Sequence, residues 1–408
     1  MVNCRGCDAN LSLTFLDLGA SPIANDLISF ENLDSPEVYY PLHVMTCVQC
    51  AFVQIPEVKS RESLFRSDYV YFSSYSSSWL EHSQKYASKM VEMLDLSEED
   101  LVIEVASNDG YLLQYFKQDR VQVLGVEPSL GVANVAINKG IPTLVDFFGG
   151  HFAKGLVATK KPRLMVANNV LAHVPDIHDF IEGFSQLIAE DGMITFEFPH
   201  LVRLIKNNQF DTIYHEHYSY LSVMALMPIF ESHGLKIIDV EKLSTHGGSI
   251  RIYVVPQISS RVTKDSVSNI LIEEAAFDPR LESIWKSLQE RTLQIKVDLL
   301  NVLIECKKNS LVVAAYGAAA KGNTLLNYSG VDSDLVAYVV DLSPHKQGKY
   351  LPGSRIPIVG IEHLNANAPD VLLVLPWNLA DEVRTQLNYL ADENGVKFLR
   401  AIPKLEYF

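Results

Sequence analysis

Leu101-Val-Ile-Glu-Val-Ala-Ser-Asn-Asp-Gly110 decides the fold. Its first five residues read as a strand buried on both faces, and Ser107–Gly110 as the turn that opens a helix over Tyr111–Lys117. The same alternation continues downstream. Val121-Gln-Val-Leu-Gly-Val126 is a second strand, ending in Glu127-Pro128, and Arg163-Leu-Met-Val-Ala167 is a third. A helix is predicted from about Ile177 to Ala189, with Asp176 as N-cap. Met193–Phe198 is the next strand, and Leu235–Leu243 with Ser249–Val255 form an antiparallel pair around His246-Gly-Gly248. Strands alternating with helices at this spacing imply a mostly parallel α/β sheet with covered faces.

A second α/β block starts at Ser310, with strands at Leu311–Tyr316, Leu335–Val340 and Val371–Leu375, after a charged helical stretch over 261–308. The chain has 408 residues, a prior of two to three domains. The expected division is 1–60, 61–245 and 246–408. With 34 Lys+Arg against 49 Asp+Glu the net charge is −15, which disfavours a nucleic-acid partner. No apolar run is long enough to span a bilayer. The N-terminus lacks the apolar core of a signal peptide, so a cytoplasmic protein is expected. A monomer is the default oligomeric state.

Four of the five cysteines are paired, as Cys4/Cys7 and Cys47/Cys50. In a reducing compartment two Cys-x-x-Cys turns point to a tetrathiolate zinc site, closed and therefore structural. The long gap between Cys7 and Cys47 requires an insertion around Asp17–Leu42. Cys306 follows an apolar helical pattern and reads as a small core residue. The Tyr/Ser-rich run Asp68–Trp79, containing Tyr71, suits either a functional loop or a packed entry into the helix predicted from Trp79 to Leu94.

In such sheets ligands lie outside the carboxyl ends of the strands. Glu127, at the end of the second strand, is placed to accept two ribose hydroxyls. The first turn lacks Gly-x-Gly-x-x-Gly and carries Asp109, which opposes a pyrophosphate but suits the cationic aminoacyl end of S-adenosylmethionine. In the second block, Gly317-Ala-Ala-Ala-Lys-Gly322 offers glycines, a helix start and a lysine to an anionic group, with Lys321 and Asn323 as candidates. His246, Gly247, Gly248 and Arg251 fit the same cleft, or a structural hairpin turn equally well. That block also lacks the dinucleotide fingerprint, so no nicotinamide cofactor is expected.

Taken in order, the paired Cys-x-x-Cys, the Tyr/Ser-rich run, Glu104-x-x-x-Asn-Asp-Gly110, Gly125-Val-Glu-Pro-Ser129, Asn169-x-Leu-x-His173, Glu216-His-Tyr218, His246-Gly-Gly248 and Tyr316-Gly-Ala-x-x-Lys321 resemble the sugar-nucleotide C-methyltransferases that act on deoxysugars. The resemblance covers essentially the whole chain. It implies three bodies: a small zinc-binding N-terminal domain, a Rossmann-like methyltransferase domain and a C-terminal Rossmann-like α/β domain, with substrate where they meet. It implies S-adenosylmethionine on Glu104, Asn108, Asp109, Gly110 and Glu127. Phe147 and Phe148 fall where the adenine pocket of such enzymes often lies (core packing is equally suited), and Asn168 falls near the methionine part. Ala106 departs from the glycine common at that point of the turn.

Phe210-Asp-Thr-Ile-Tyr-His-Glu-His-Tyr-Ser-Tyr220 is the densest polar and aromatic cluster. His215 and His217, two apart, share a face on a strand, but no third metal ligand is spaced to join them. C-methylation beside a sugar ketone needs a base near working pH to remove a carbon-bound proton, and donors aimed at the resulting enolate oxygen. The resemblance points to Glu216 and His217, with His217 as base oriented by Glu216. Tyr214 and Tyr71 are expected on the sugar or enolate oxygen, and His173 is the second base candidate. The resemblance implies a dTDP-linked 4-keto-deoxysugar as substrate. The alternatives are O- or N-methylation of a related sugar nucleotide, or a non-catalytic zinc-ribbon binding protein.

Overall fold

The computed structural model describes residues 2–64, 72–156 and 160–408. Its central sheet has seven strands, numbered here in chain order: β1 Leu101–Val105, β2 Gln122–Val126, β3 Thr143–Leu144, β4 Leu164–Asn168, β5 Met193–Pro199, β6 Leu235–Leu243 and β7 Ser249–Pro256. Their spatial order is β3-β2-β1-β4-β5-β7-β6. Strands β1 to β5 are parallel, and β7 lies antiparallel between β5 and β6. The chain runs outward from β1 to β3 and then returns to β4. The β1/β4 junction is therefore the switch point, where the loops diverge and leave a crevice. The boundary expected between residues 245 and 246 falls inside the β6–β7 hairpin. Because β7 hydrogen-bonds to both neighbours, the sheet extends to Pro256.

The N-terminal sheet is antiparallel: Leu13–Ser21, Tyr40–Thr46 and Val53–Gln54, then Ser219–Tyr220. That last strand comes from the loop after β5, so the central body completes the N-terminal sheet. The C-terminal sheet is parallel from Ile358–Val359 through Val339–Val340, Val313–Tyr316 and Val371–Val374 to Lys397–Arg400, and is closed by antiparallel Glu406–Tyr407. One apolar core joins the bodies. Leu16, Val44 and Val53 pack in it with Phe210 and Ile213, with Leu299 and Leu303 of the helix Glu282–Lys308, and with Val313 and Leu325. Cys306 is buried on that helix, as the pattern predicted.

The turn after β1 is conformationally costly. Ala106 and Asn108 have φ of 55° and 50°, and Gly110 has φ of 77°. A Cβ on Gly110 would lie 2.3 Å from Ile141 Cδ1. Ala106 thus occupies the glycine-like conformation that its resemblance to glycine-bearing turns implies, at a cost of about 1–2 kcal/mol. Glycine there removes that strain but adds unfolded-state entropy of about 0.5–1 kcal/mol. Ala106→Gly is therefore expected to raise unfolding stability by up to ~1 kcal/mol, read from the urea midpoint at constant slope. An unchanged or lower midpoint would contradict the strain.

Candidate active site

A cleft of about 760 Å³ opens at the switch point, lined by residues of all three bodies. Its first wall is the end of β1, β2 and β4. Glu127 accepts backbone N–H groups of Asn108 (3.0 Å) and Ser129 (2.9 Å), one on each carboxylate oxygen. Burial raises its pKa to about 7, against those two hydrogen bonds. Phe147 is half-exposed on the cleft wall with the Arg61 guanidinium 4.6 Å from its ring centroid. Phe148 is a mostly buried residue at the cleft edge, packed on Phe180 and Phe184 at centroid distances of 5.6 and 4.7 Å. Asn168 and Asn169 line the cleft, and both side-chain oxygens lack a hydrogen-bond partner.

Glu104 lies behind this wall, fully buried, with neither carboxylate oxygen hydrogen-bonded. Burial, and then the charges of Asp109 and Glu127, push its pKa well above the carboxylate range, although the Tyr111 hydroxyl opposes this. Asp109 points away from the cleft. It takes a short hydrogen bond from Ser74 Oγ and an ion pair from Lys139 Nζ at 3.3 Å. Both contacts fall on Oδ2, while the buried Oδ1 has no hydrogen-bond partner, and Gly110 acts through its backbone shape.

The second wall is the segment Tyr214–Tyr218, a turn rather than a strand. His215 and His217 consequently diverge. His215 packs on Tyr40 and donates to the Pro41 carbonyl at 3.3 Å. His217 faces the cleft. Its Nδ1 lies 2.8 Å from the Thr212 carbonyl, which can only accept, so Nδ1 carries the hydrogen. The lone pair is then on Nε2, which receives the Tyr214 hydroxyl at 2.8 Å. His173 has the same tautomer, because its Nδ1 donates to the Glu216 carbonyl at 2.7 Å. The two imidazole centroids are 4.6 Å apart. Burial lowers the pKa of His173 to about 4, and burial with the neighbouring His173, Lys321 and His246 charges takes His217 well below its usual value. Both rings are neutral at pH 7.

Glu216 does not orient His217. Its carboxylate turns to Asn25, whose amide donates to both oxygens at 2.9 and 2.7 Å. Burial raises its pKa to about 7. The orienting group of His217 is the Thr212 carbonyl. Asn25 stands in the long insertion between the cysteine pairs, a placement with no signature in local sequence.

The third wall is the C-terminal body. Lys321 Nζ donates to Asn378 Oδ1 at 2.6 Å and lies 5.1 Å from the Trp377 ring centroid. Burial lowers its pKa, opposed by Asp211. Asp211 accepts the Trp377 indole N–H at 2.7 Å. His246 lines the cleft beside Trp79, at a centroid distance of 5.2 Å. Gly247 is pressed against Trp377, where a Cβ would lie 2.2 Å from the ring. The His-Gly-Gly loop is thus both cleft wall and interdomain contact. Arg251 and Asn323 are buried in the protein, not on the cleft wall. Arg251 pairs with Glu197, which also binds His82 (2.9 Å) and Thr245 (2.9 Å). The sequence signal for that network is an acidic residue inside the apolar strand β5. Tyr71 lies outside the described residues.

The four cysteine sulfurs of the N-terminal turns all lie within 4.8 Å of one another. Cys4–Cys50 and Cys7–Cys47 are 3.5 Å apart, far beyond a disulfide and near the ~3.8 Å edge of a tetrahedron with 2.3 Å Zn–S bonds.

Comparison with known proteins follows this division. Residues 4–65 match a family model for a zinc-binding domain, residues 79–240 one for a methyltransferase domain, and residues 244–403 one for a C-methyltransferase C-terminal domain. Over 404 residues the chain is 35% identical to the C-methyltransferase NovU of Streptomyces niveus, covering 98% of this chain and 95% of that one. The chain belongs to the S-adenosylmethionine-dependent C-methyltransferases. Among solved structures, a methyltransferase of Clostridium acetobutylicum matches 48% of this chain and 95% of its own at 14% identity and a TM-score of 0.35. The Synechocystis magnesium protoporphyrin IX methyltransferase matches 48% and 91% at 15% identity and a TM-score of 0.36. Among the described residues of this C-methyltransferase, no helix is long and apolar enough to cross a membrane.

The orphaned acceptors fit the methyl donor and the sulfurs fit zinc. Asn168 and Asn169 offer unpartnered side-chain oxygens on the cleft wall to an ammonium, and Glu127 retains lone pairs for ribose hydroxyls. The raised pKa of Glu127 gives a sign to the pH dependence: a carboxylate able to hold ribose hydroxyls is lost as pH falls through about 7. Donor affinity measured by calorimetry is expected to weaken from pH 8 to pH 6. Glu127→Gln should bind more weakly at pH 8, with that pH dependence largely removed. An unaltered pH profile in the variant would contradict the assignment.

Proposed function

We propose that this C-methyltransferase removes a proton from the carbon beside the ketone of a nucleotide-linked 4-keto-deoxysugar, with dTDP as the nucleotide, and methylates that carbon. The observation that carries the reading is the Tyr214–His217 hydrogen bond to a neutral Nε2, in a cleft that also reaches Glu127 and Lys321. A neutral imidazole with a fixed tautomer is ready to accept a proton, and burial keeps it neutral well below pH 7. S-adenosylmethionine supplies an electrophilic methyl on a sulfonium.

In this reading His217 is the base, and the Tyr214 hydroxyl lies between Nε2 and the reacting centre. Proton loss from carbon to the tyrosine–histidine pair leaves an enolate. Its oxygen is stabilised by hydroxyl or protonated imidazole donors. His173, ring to ring with His217, is the second candidate for either role. Glu216, neutral or charged near pH 7, hydrogen-bonds substrate hydroxyls beside Asn25.

The diphosphate is assigned to the positive groups of the far wall. Lys321 is buried, and only Asp211 favours its charge. Lys346 lines the same wall, donating to the Ala318 carbonyl at 2.9 Å. These cations hold an anionic substrate locally in a protein of net charge −15. The NovU name supports carbon as the methyl acceptor over oxygen or nitrogen. We place the end of the donor-binding unit after Pro256.

Solvent-deuterium exchange at the substrate carbon isolates the proton step. With the keto-sugar nucleotide and no methyl donor, the wild-type enzyme is expected to exchange that position. His217→Asn should lower the exchange rate by about 10²–10⁴-fold, and Tyr214→Phe by a smaller factor. Exchange that survives in His217→Asn but is lost in His173→Asn would move the base to His173. Exchange surviving in both would refute carbon deprotonation by this pair.

A further inference from the structure

The zinc turn and the catalytic turn are joined by one side chain. Arg5 sits between Cys4 and Cys7, in the first Cys-x-x-Cys turn. Its backbone N–H donates to Gln54 Oε1 at 2.8 Å, and Gln54 Nε2 donates to the Asn3 carbonyl at 3.1 Å. The turn is thereby tied to the strand Val53–Gln54. Its guanidinium reaches across that strand. Nη1 donates to the Ile55 carbonyl at 2.7 Å and to the Tyr218 carbonyl at 3.0 Å, and the guanidinium lies 5.3 Å from the Tyr218 ring centroid. Tyr218 follows His217 directly. The Tyr218 carbonyl also accepts the Ile55 N–H at 3.1 Å, and the next two residues pair with Gln54 and Val53.

The geometry points to Arg5 as a positioning residue for the proton-transfer pair: it carries the shape of the metal-bound turn to the backbone that presents His217. The catalytic turn has no regular secondary structure of its own between Ile213 and Ser219. Besides its own His217 N–H to Tyr214 carbonyl bond at 2.9 Å, it is held from outside by His173 on the Glu216 carbonyl and by Arg5 with Ile55 on the Tyr218 carbonyl. A charged donor to two carbonyls is a strong tether, and one that exists only where the Cys4–Cys7 turn is formed. A displacement of about 1 Å in a reacting group costs about 10²-fold in rate. The role of Arg5 in turnover rests on the proposed function above. Its structural coupling does not.

The test uses the full-length zinc-loaded enzyme with Arg5→Ala and Arg5→Lys. Zinc content, donor affinity by calorimetry, hydrogen exchange of peptides covering 212–221, and turnover of the keto-sugar nucleotide are each measured. Arg5→Ala is expected to keep one zinc and to bind donor within about twofold of wild type. Exchange in 212–221 should quicken by at least about tenfold, while kcat falls by about 10²-fold with a smaller change in KM. Added guanidinium should restore part of both protection and kcat. Arg5→Lys, which keeps the charge but not the fork, should fall between. Unchanged exchange in 212–221 would overturn the coupling. Quickened exchange with unchanged turnover would overturn the positioning role alone. Loss of zinc from both variants would also overturn the proposal, because Arg5 would then serve the metal turn itself. Absence of turnover in the wild type, with the exchange result intact, would count against the proposed substrate and not against the tether.

Discussion

The antiparallel pairing of Val53–Gln54 with Ser219–Tyr220 is the constraint on which the site depends. Two residues on each side are a short ladder, too short to stand alone in water. It persists because both strands belong to other structures. One leaves the second cysteine turn, where Cys47 N–H bonds to the Phe52 carbonyl at 2.9 Å. The other follows the Glu-His-Tyr turn and leads to the Leu221–Ser222 entry into a buried helix. The zinc turns, the ladder and the catalytic turn are consecutive links. That explains why a closed tetrathiolate with no open coordination position belongs in an enzyme whose chemistry lies elsewhere.

The electrostatics of the cleft follow from burial. Burial makes Glu104 and Glu127 titrate high, and of the two only Glu127 lines the cleft, with lone pairs left for a hydroxylated ligand. The two histidines lose their charge to the same burial, which suits the base role proposed for them. On the opposite wall Lys321 is a cation short of anions. One cleft thus presents acceptors to the donor, neutral bases to the centre and cations to the far end. Each preference arises from position in the fold more than from residue type.

Much of this was legible in the sequence. The strand-turn pattern from Leu101 and the position of Glu127 follow from periodicity and spacing, and the cysteine quartet follows from thiolate chemistry. What was not legible depends on direction and on distant partners. Asp109 is one such case: Lys139 and Ser74 meet its Oδ2, a pairing across distant segments that no local motif shows. Arg251 was a plausible anion binder, but a strand alternates its faces, and its face holds Glu197 and His82. The resemblance pairs Glu216 with His217, but adjacent residues of a turn diverge, and Glu216 turns to Asn25. Asn25, Asp211 and Trp377 enter the site from three separate segments, and no local motif announces such a meeting. Sheet membership runs past the expected edge because β7 is inserted between β5 and β6, a pairing that no local pattern announces.

If the zinc turns hold the catalytic turn, metal and donor binding must be separable from turnover. The direct measurement is to strip zinc with a chelator at neutral pH, then compare S-adenosylmethionine affinity with turnover on the keto-sugar nucleotide before and after metal is returned. Donor affinity should stay within about twofold while turnover collapses and recovers with zinc. Turnover that survives the loss of zinc would contradict the dependence. So would donor affinity and turnover that fall together, which would make the metal a support for the whole fold and not for the catalytic turn.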